Sequence, residues 1–551
     1  MKFAARSLVF LISLAATFAY TQTIPARTFK HIIIVVQENR TPDNLFGNNP
    51  GTANCSQENP FEPGVDIVDG GQGYGFGLIC STPRHLSDSL SPGHGHGDFE
   101  HQYDNGNMDK PCWNGTQINP ACYAYVMKAD VQPYIDIATN YGFANYFFQT
   151  NEGPSFEAHQ FLFTGTSAAV APGDLNNYYL DFVAENAQPA GSSGCAVPTT
   201  TSAPKWVDPR GTPDINDPRP NKAECYTHDS LVTAASDCVN GKNCDKGFTW
   251  AYYTPTPEII WTAPAAIPEV CYGENDLNYV GQTCGNVNIN GGTEWNTHVK
   301  LPDAPHGNTH YSDAPIFDDL FSCNLQAISW VIPDRAWSDH AGGTGPYGPS
   351  WVGDIIDAVG KSYQNSLGKC DYWGYPAHSG TTPEPTAIFV VWDDWGGWFD
   401  HVPPPAVYTG TGMPPVCPNP PVPNGWGCGY VYGFRVPLLV VSEYTQAGYV
   451  SGALPSPGKV PKYEHDFGSI LAFTEYNFGM PFIDLPEKGY ADFNALDWAN
   501  GNIPLSDFFN LNNQRNFTNI QTLQDAGYFQ NYHVYNPGYV PTGPDDDSEV
   551  D

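Results

Sequence analysis

The sequence is short of positive charge: 23 Lys and Arg face 58 Asp and Glu, a formal net charge of −35. That balance argues against binding to nucleic-acid backbones, which takes clustered Lys and Arg. It also leaves no polybasic signal for an anionic membrane surface. None of the 14 cysteines forms a Cys-x-x-Cys. A thiolate zinc site or a thioredoxin-type redox motif is therefore not expected. Internal repeats and coiled-coil heptads are missing as well. So is any apolar run of the roughly 20 residues that span a bilayer. The apolar run from Leu8 to Ala19 is shorter, follows Met1-Lys2-Phe3-Ala4-Ala5-Arg6 and ends in small residues. It reads as a secretory signal peptide over residues 1–19, with no stable membrane anchor to follow. A secreted protein, extracellular or periplasmic, is the expectation.

Hydrophobic residues make up 41% of the chain and charged ones only 15%. The acidity is therefore not that of a disordered polyanion, and a large core can form. An even cysteine count in an exported chain favours structural disulfides. Cys195, Cys225, Cys238, Cys244, Cys271, Cys284 and Cys323 fall where periodicity is weak, and sequence does not reveal their pairing.

Four Ile/Val-rich runs read as buried strands: His31 to Gln37, Ala327 to Ile332, Ala387 to Trp392 and Val436 to Val441. Val131 to Tyr141, Phe156 to Thr164, Val352 to Ser362 and Phe467 to Tyr476 read as helices between and after them. This alternation predicts an α/β fold, a largely parallel sheet with helices on both faces. Its core spans residues 28–187 and 320–535. Residues 188–319, dense in Cys, Pro, Gly and Thr, read as an insertion or cap that shapes a pocket. Residues 536–551 read as an acidic tail, with Asp545, Asp546, Asp547 and Glu549 solvated.

Ligands in such sheets bind beyond the carboxyl ends of strands. The first strand runs into Glu38-Asn39-Arg40, and the third into Asp393-Asp394-Trp395-Gly396-Gly397-Trp398-Phe399-Asp400-His401. Adjacent acids closing a buried strand repel one another unless a cation lies between them. A divalent metal is the natural partner; acidic surface turns are the plainer reading of either cluster alone. Ser155 follows Gly153-Pro154 at a predicted helix start. There it can face an anion held by backbone N–H groups, or simply cap the helix.

The string Glu38-Asn39-Arg40-Thr41-Pro42-Asp43-Asn44-Leu45-Phe46-Gly47 and the Asp393–His401 segment resemble the bacterial phospholipase C and acid phosphatase phosphoesterase family. That family lies within the alkaline phosphatase superfamily and includes plant non-specific phospholipases C. Ile328–Val331 with Ser338-Asp339-His340, Gly433–Pro437, Gly448–Ser451 and His465 before Ser469 extend the resemblance over residues 30–180 and 320–480. It implies an alkaline-phosphatase-like sheet and one divalent metal held by Glu38, Asn39, Ser155, Asp393 and Asp394. Ser155 would be the nucleophile. His101 and Asn105 would contact phosphoryl oxygens, and His340 or His465 would serve as proton donor or phosphate ligand. The family often has Pro-Asn-Arg or Pro-Asn-His after its nucleophile; Glu157-Ala158-His159 stands here instead. His94-Gly95-His96 reads equally as an exposed Gly-rich turn.

The all-oxygen ligand set favours Mg, Mn or Ca over Zn. The expected function is a metal-dependent phosphoric-ester hydrolase working through a phosphoserine, of the acid-phosphatase kind. Phospholipase C is the alternative within the class, and a non-catalytic metal- or anion-binding protein the alternative outside it. The partner is a small phosphate ester or a phospholipid head group. Oligomeric state is not legible.

Overall fold

The run His31–Gln37, buried at every residue, lies inside an eight-stranded mixed sheet. The computed structural model describes residues 24–47, 82–113, 115–116, 118–168, 183–188, 193–197, 203–207, 225–233, 248–257, 259–273, 281–285, 293–302, 312–342, 345–405, 432–453, 461–483, 490–499 and 501–543. The predicted signal peptide and Asp545, Asp546, Asp547 and Glu549 fall outside them. The strands are β1 (His31–Gln37), β2 (Gly142–Ala144), β3 (Trp250–Tyr253), β4 (Val299–Lys300), β5 (Ile328–Val331), β6 (Thr386–Trp392), β7 (Leu438–Val441) and β8 (Tyr449–Ser451). Their order is β8-β2-β7-β6-β1-β5-β3-β4.

β1 lies between β5 and β6 and runs parallel to both, with Gln37 opposite Trp392. The Val436–Val441 run forms β7, but antiparallel to β6. An apolar run buried on both faces looks the same in either direction, so its sequence carries no orientation.

The principal helices are α1 (Pro42–Phe46), α2 (His96–Tyr103), α3 (Gln132–Asn140), α4 (Ser155–Thr164), α5 (Gly348–Gly360) and α6 (Phe467–Phe478). They cover both faces of the sheet. Phe389 meets Phe473 of α6 at 5.4 Å between ring centroids, whereas Trp392 meets Tyr134 of α3 at 4.9 Å. Residues three apart on a strand point to opposite sides, so α6 and α3 lie on opposite faces. Trp330, which shares the Phe389 row through Ile34, packs on Phe163 of α4 at 5.1 Å. α4 therefore joins α6, and α5 packs beside α3. Among the described residues no helix is long and apolar enough to cross a membrane.

The segment 188–319 does more than cap the sheet, because it supplies β3 and β4. Strands of four and two residues carry too little pattern to be seen in sequence. Disulfides Cys195–Cys225 and Cys271–Cys284 lie inside this segment. Cys112–Cys122 and Cys323–Cys370 lie outside it. The start of the supposed tail is held as well: Tyr539 Oη donates to Asp334 at 2.7 Å, and the Thr542 N–H does so at 2.6 Å.

Candidate active site

Because β1 and β6 are parallel and in register, Glu38 and Asp393 leave the sheet side by side. The Asn39 N–H donates to Asp393 Oδ1 at 3.0 Å, the Asp394 N–H to the same oxygen at 2.7 Å, and the Gly396 N–H to Asp394 Oδ1 at 2.6 Å. Asn39 takes a left-handed φ of 61°, which Asn tolerates better than most residues. Gly396 must be glycine: a Cβ there would lie 2.6 Å from that of Asn39 and would collide with its carbonyl oxygen. The turn closing β6 thus sits directly on the turn closing β1.

Ser155 arrives from α4. It is the first helical residue rather than the cap, since Pro154 occupies the cap position without a side-chain bond. The simple capping reading of Ser155 therefore does not hold. Its Oγ lies 3.2 Å from Glu38 Oε2 and 3.2 Å from Asp394 Oδ2, and the side chain is fully buried. The Phe156 N–H, which the sequence left open for an anion, donates to Asn186 Oδ1 at 2.8 Å.

One turn further along α4, His159 Nε2 reaches Glu38 Oε1 at 3.0 Å and Asp393 Oδ2 at 3.7 Å. Ligand atoms of Glu38, His159 and Asp393 lie within 4.8 Å of one another, an arrangement that can hold a metal ion. Burial pushes the Asp393 carboxyl up, but the adjoining Glu38 carboxyl, His159 and Ser155 outweigh it and hold it below its ordinary value. Two carboxylates meet one imidazole here, and the third, Asp394, lies on the far side of Ser155 Oγ. Asn39 Oδ1 is buried beside them with no hydrogen-bond partner among the described residues. A buried acceptor left unmade is costly, and a cation satisfies it.

Histidines and tryptophans wall this centre. His94 and His96, which the sequence read equally as an exposed turn, are both buried. His94 Nε2 contacts Asn39 Nδ2 at 2.9 Å, while His96 Nδ1 donates to the Glu152 carbonyl at 3.2 Å. His340 follows β5, the parallel neighbour of β1 on its other side. Its Nδ1 donates to the Ala341 carbonyl at 2.6 Å, and its ring lies 6.4 Å from His94 and 5.9 Å from Trp261. Trp261 comes from the 188–319 segment and also stacks 6.4 Å from His159. Its indole Nε1 is buried with no hydrogen-bond partner among the described residues.

Behind the turns, two buried guanidinium groups fix the backbone. Arg40 donates to the Asp339 carbonyl at 3.0 and 2.6 Å, and burial lowers it to about 10. Arg435 pairs with Asp400 at 2.9 Å and Asp43 at 3.4 Å.

The remaining sequence candidates lie elsewhere. His101 is exposed in the last turn of α2. Asn105 falls in the short 3-10 turn Asp104–Gly106, with its side chain outside the described residues. His465 belongs to a separate buried cluster: Nε2 meets Ser451 Oγ at 2.7 Å and Nδ1 meets Asp497 Oδ1 at 2.9 Å. That spacing matches a serine–histidine–aspartate relay, but the protons run the wrong way for catalysis. Ser451 Oγ donates to Asp507 Oδ2 at 2.5 Å. Although burial disfavours its charge, Asp497 and Asp507 hold His465 well above the ordinary histidine value. The serine proton is directed at Asp507, away from the ring.

His159 is the site residue missing from the sequence candidates. Its signal was present, since residues four apart on a helix share a face, and Ser155 and His159 are four apart.

The chain belongs to the phosphoesterase family, whose model matches residues 29–367 and 376–481. The match runs through most of the segment that the sequence resemblance left uncovered. Among curated proteins, a non-hemolytic phospholipase C of Burkholderia pseudomallei is 27% identical over 218 residues, 38% of this chain and 26% of that protein. One from Pseudomonas aeruginosa is 21% identical over 270 residues, 46% of this chain and 33% of that protein. Phospholipase C B of Mycobacterium tuberculosis is 32% identical over 182 residues, 30% of this chain and 28% of that protein. The matched spans thus cover between 26% and 33% of these relatives' lengths.

Proposed function

We propose that this protein is a secreted, metal-dependent phosphoric-ester hydrolase on an alkaline-phosphatase-like sheet, with Ser155 as nucleophile. One observation carries the reading: a buried serine hydroxyl lies 3.2 Å from carboxylates on two adjacent strand ends, beside an unsatisfied Asn39 Oδ1. The residues fit a divalent cation held by Glu38, Asn39, Ser155, Asp393 and Asp394, with His159 Nε2 in reach. When bound, the ion supplies positive charge that favours the serine alkoxide and polarises a phosphoryl oxygen.

Glu38 or Asp394 takes the Ser155 proton. Ser155 Oγ attacks phosphorus, the phosphorus–oxygen bond to the alcohol breaks, and a phosphoserine remains. His340, oriented by its bond to the Ala341 carbonyl, gives a proton to the departing alcohol. Water then attacks the phosphoserine and frees the phosphate and the serine. Trp261 places an indole N–H from the 188–319 segment beside His340, suited to a substrate oxygen. His159 adds an imidazole to the donor set, so the all-oxygen argument against zinc no longer decides the metal.

Two substrate classes share this chemistry. The names of the relatives, all phospholipases C, favour a phospholipid diester, with phosphatidylcholine-type lipids the candidate we take. The sparse positive charge favours an acid-phosphatase-like action on soluble monoesters. The test is turnover of p-nitrophenyl phosphate, bis-p-nitrophenyl phosphate and phosphatidylcholine vesicles, each with and without chelator and with added Mg, Mn, Ca or Zn. Chelator-sensitive release from at least one substrate is expected. No release under any metal would leave a non-catalytic binding protein. The four disulfides among the described residues fit an oxidising compartment, and secretion is tested by recovery of the chain outside the producing cell.

A further inference from the structure

The Asn39 amide has one orientation open to it. Its Nδ2 lies 3.2 and 3.4 Å from the two Asp394 carboxylate oxygens and 2.9 Å from His94 Nε2. Turning the amide over would set Oδ1 against a carboxylate, acceptor to acceptor. With Nδ2 donating, His94 Nε2 must accept, so the ring proton belongs on Nδ1. The Pro92 carbonyl oxygen lies 2.9 Å from that nitrogen and takes the bond. The tautomer is thus set from behind, and the amide is set by the tautomer. What the amide then presents is Oδ1, buried and without a hydrogen-bond partner among the described residues.

The His94 loop is itself held in place. Gly397 has φ 71°, and a Cβ there would lie 2.6 Å from Pro92 Cβ and collide with the Gly93 carbonyl. Edge-on contact with Trp395, 6.1 Å between centroids, fixes the ring plane.

We propose that His94 is a positioning residue that locks Asn39 with its carbonyl oxygen aimed at the cation. The proposal rests on the metal-site reading above. It assigns His94 no contact with substrate and no proton transfer. Outer hydrogen-bond partners of ligating side chains are generally worth about 10–100-fold in metal affinity.

Two near-isosteric variants separate the two ends of the ring. His94→Asn keeps a donor for the Pro92 carbonyl but cannot reach Asn39. His94→Gln can place an amide oxygen where Nε2 stood and accept from Asn39. Titration of the metal-stripped full chain with Mn(II) alone, read by calorimetry, should show His94→Asn binding about 10–100-fold more weakly. His94→Gln should recover most of that loss. In an Asn39→Ala background, His94→Asn should change the affinity no further, because the two act as one unit. Thermal melts of each apo variant confirm that a folded chain is being titrated.

Equal Mn(II) affinity for His94→Asn, His94→Gln and wild type would overturn the proposal and leave the metal-site reading standing. Loss of turnover in His94→Asn with unchanged Mn(II) affinity would also overturn it, and would place His94 on the substrate. Failure of the wild type to bind any divalent ion would sink the metal-site reading itself.

Discussion

Two buried clusters in this protein each join a serine, a histidine and acidic side chains, yet their charge balance differs. Around Ser155 gather the carboxylates of Glu38, Asp393 and Asp394, two of which, Glu38 and Asp393, the imidazole of His159 reaches. Around Ser451, two carboxylates flank His465 and raise its basicity. Further donors also converge there: Tyr449 Oη on Asp507 at 2.9 Å, Ser469 Oγ on Asp497 at 2.6 Å and the Leu505 N–H on Asp497 at 3.2 Å. The second cluster sets two carboxylates against one imidazole and ties them to several neighbouring donors, although Asp507 Oδ1 lacks a hydrogen bond among the described residues. The first gathers one carboxylate more, with Asn39 Oδ1 and Asp393 Oδ2 lacking hydrogen bonds among the described residues. Both groupings bring ligand atoms close enough together for an ion, and the larger surplus of negative charge favours the Ser155 centre as the one that takes it.

The largest effect expected from breaking this contrast is at Ser155. Ser155→Ala should lose on the order of 10⁴–10⁶ in kcat, as removal of a covalent nucleophile does elsewhere. Metal affinity should fall modestly and the melting temperature stay nearly unchanged, because Ser155 is not the helix cap. Mass spectrometry after an acid quench should find a phosphoryl adduct on Ser155 in the wild type only. Full activity in the variant would end the nucleophile assignment.

Next comes Asp394. Asp394→Asn removes one of the two Ser155 contacts and one negative charge, so calorimetry should show metal affinity falling by about 100-fold or more, with turnover following it. The apo form, relieved of one repelling carboxylate, should melt no lower than the wild-type apo form. A lower apo melting temperature would mean that the carboxylates are structural.

His465 should behave in the opposite way. His465→Gln leaves Asp497 and Asp507 buried without their cation and should cost about 3–5 kcal/mol in chemical denaturation. Turnover per folded molecule and metal affinity should persist. Loss of turnover at unchanged stability would instead return His465 to the proton-donor role.

The same pair has a pH signature with two edges. His465 is raised in the folded state, so its contribution is full below its unfolded value of about 6.5 and is lost as pH rises through the folded one. Asp507 is lowered, through the His465 charge and hydrogen bonds acting against burial. Its contribution is present above about pH 3.9 and is lost as pH falls through its folded value. The stability gap between wild type and His465→Gln should therefore be widest between these limits. A gap that keeps growing on the alkaline side would show that the histidine is neutral in the fold.

The smallest effect is at Trp261. Trp261→Phe deletes an indole N–H that has no hydrogen-bond partner among the described residues, so the apo form should gain up to about 1 kcal/mol. If that N–H serves the substrate, KM should rise several-fold with kcat little changed. An unchanged KM would confine Trp261 to packing.

Much of this was legible in advance for a physical reason: adjacent acids at the end of an Ile/Val run are anomalous wherever they occur. Glu38-Asn39 and Asp393-Asp394 announced themselves by local chemistry, and strand periodicity placed the runs before them. Ser155 was visible as a helix start, although its place as first residue rather than cap needed coordinates. His94 and His159 were hidden because a histidine reveals nothing of itself until its neighbours are known. His159 became a site residue only when α4 crossed the end of β1, and His94 only when Gly397 let its loop close.

His465 shows the converse, a strong local motif that packing turned into a structural tie by surrounding it with its own partners. Sequence by itself determined which chemical groups stand at the ends of β1 and β6 and that their mutual repulsion requires an answer. Only the tertiary structure decided that these ends are neighbours, that β7 runs antiparallel, and that residues 188–319 complete the sheet. Register, direction and the approach of distant loops are long-range choices, made by the burial of both faces of the sheet rather than by any residue's own preference.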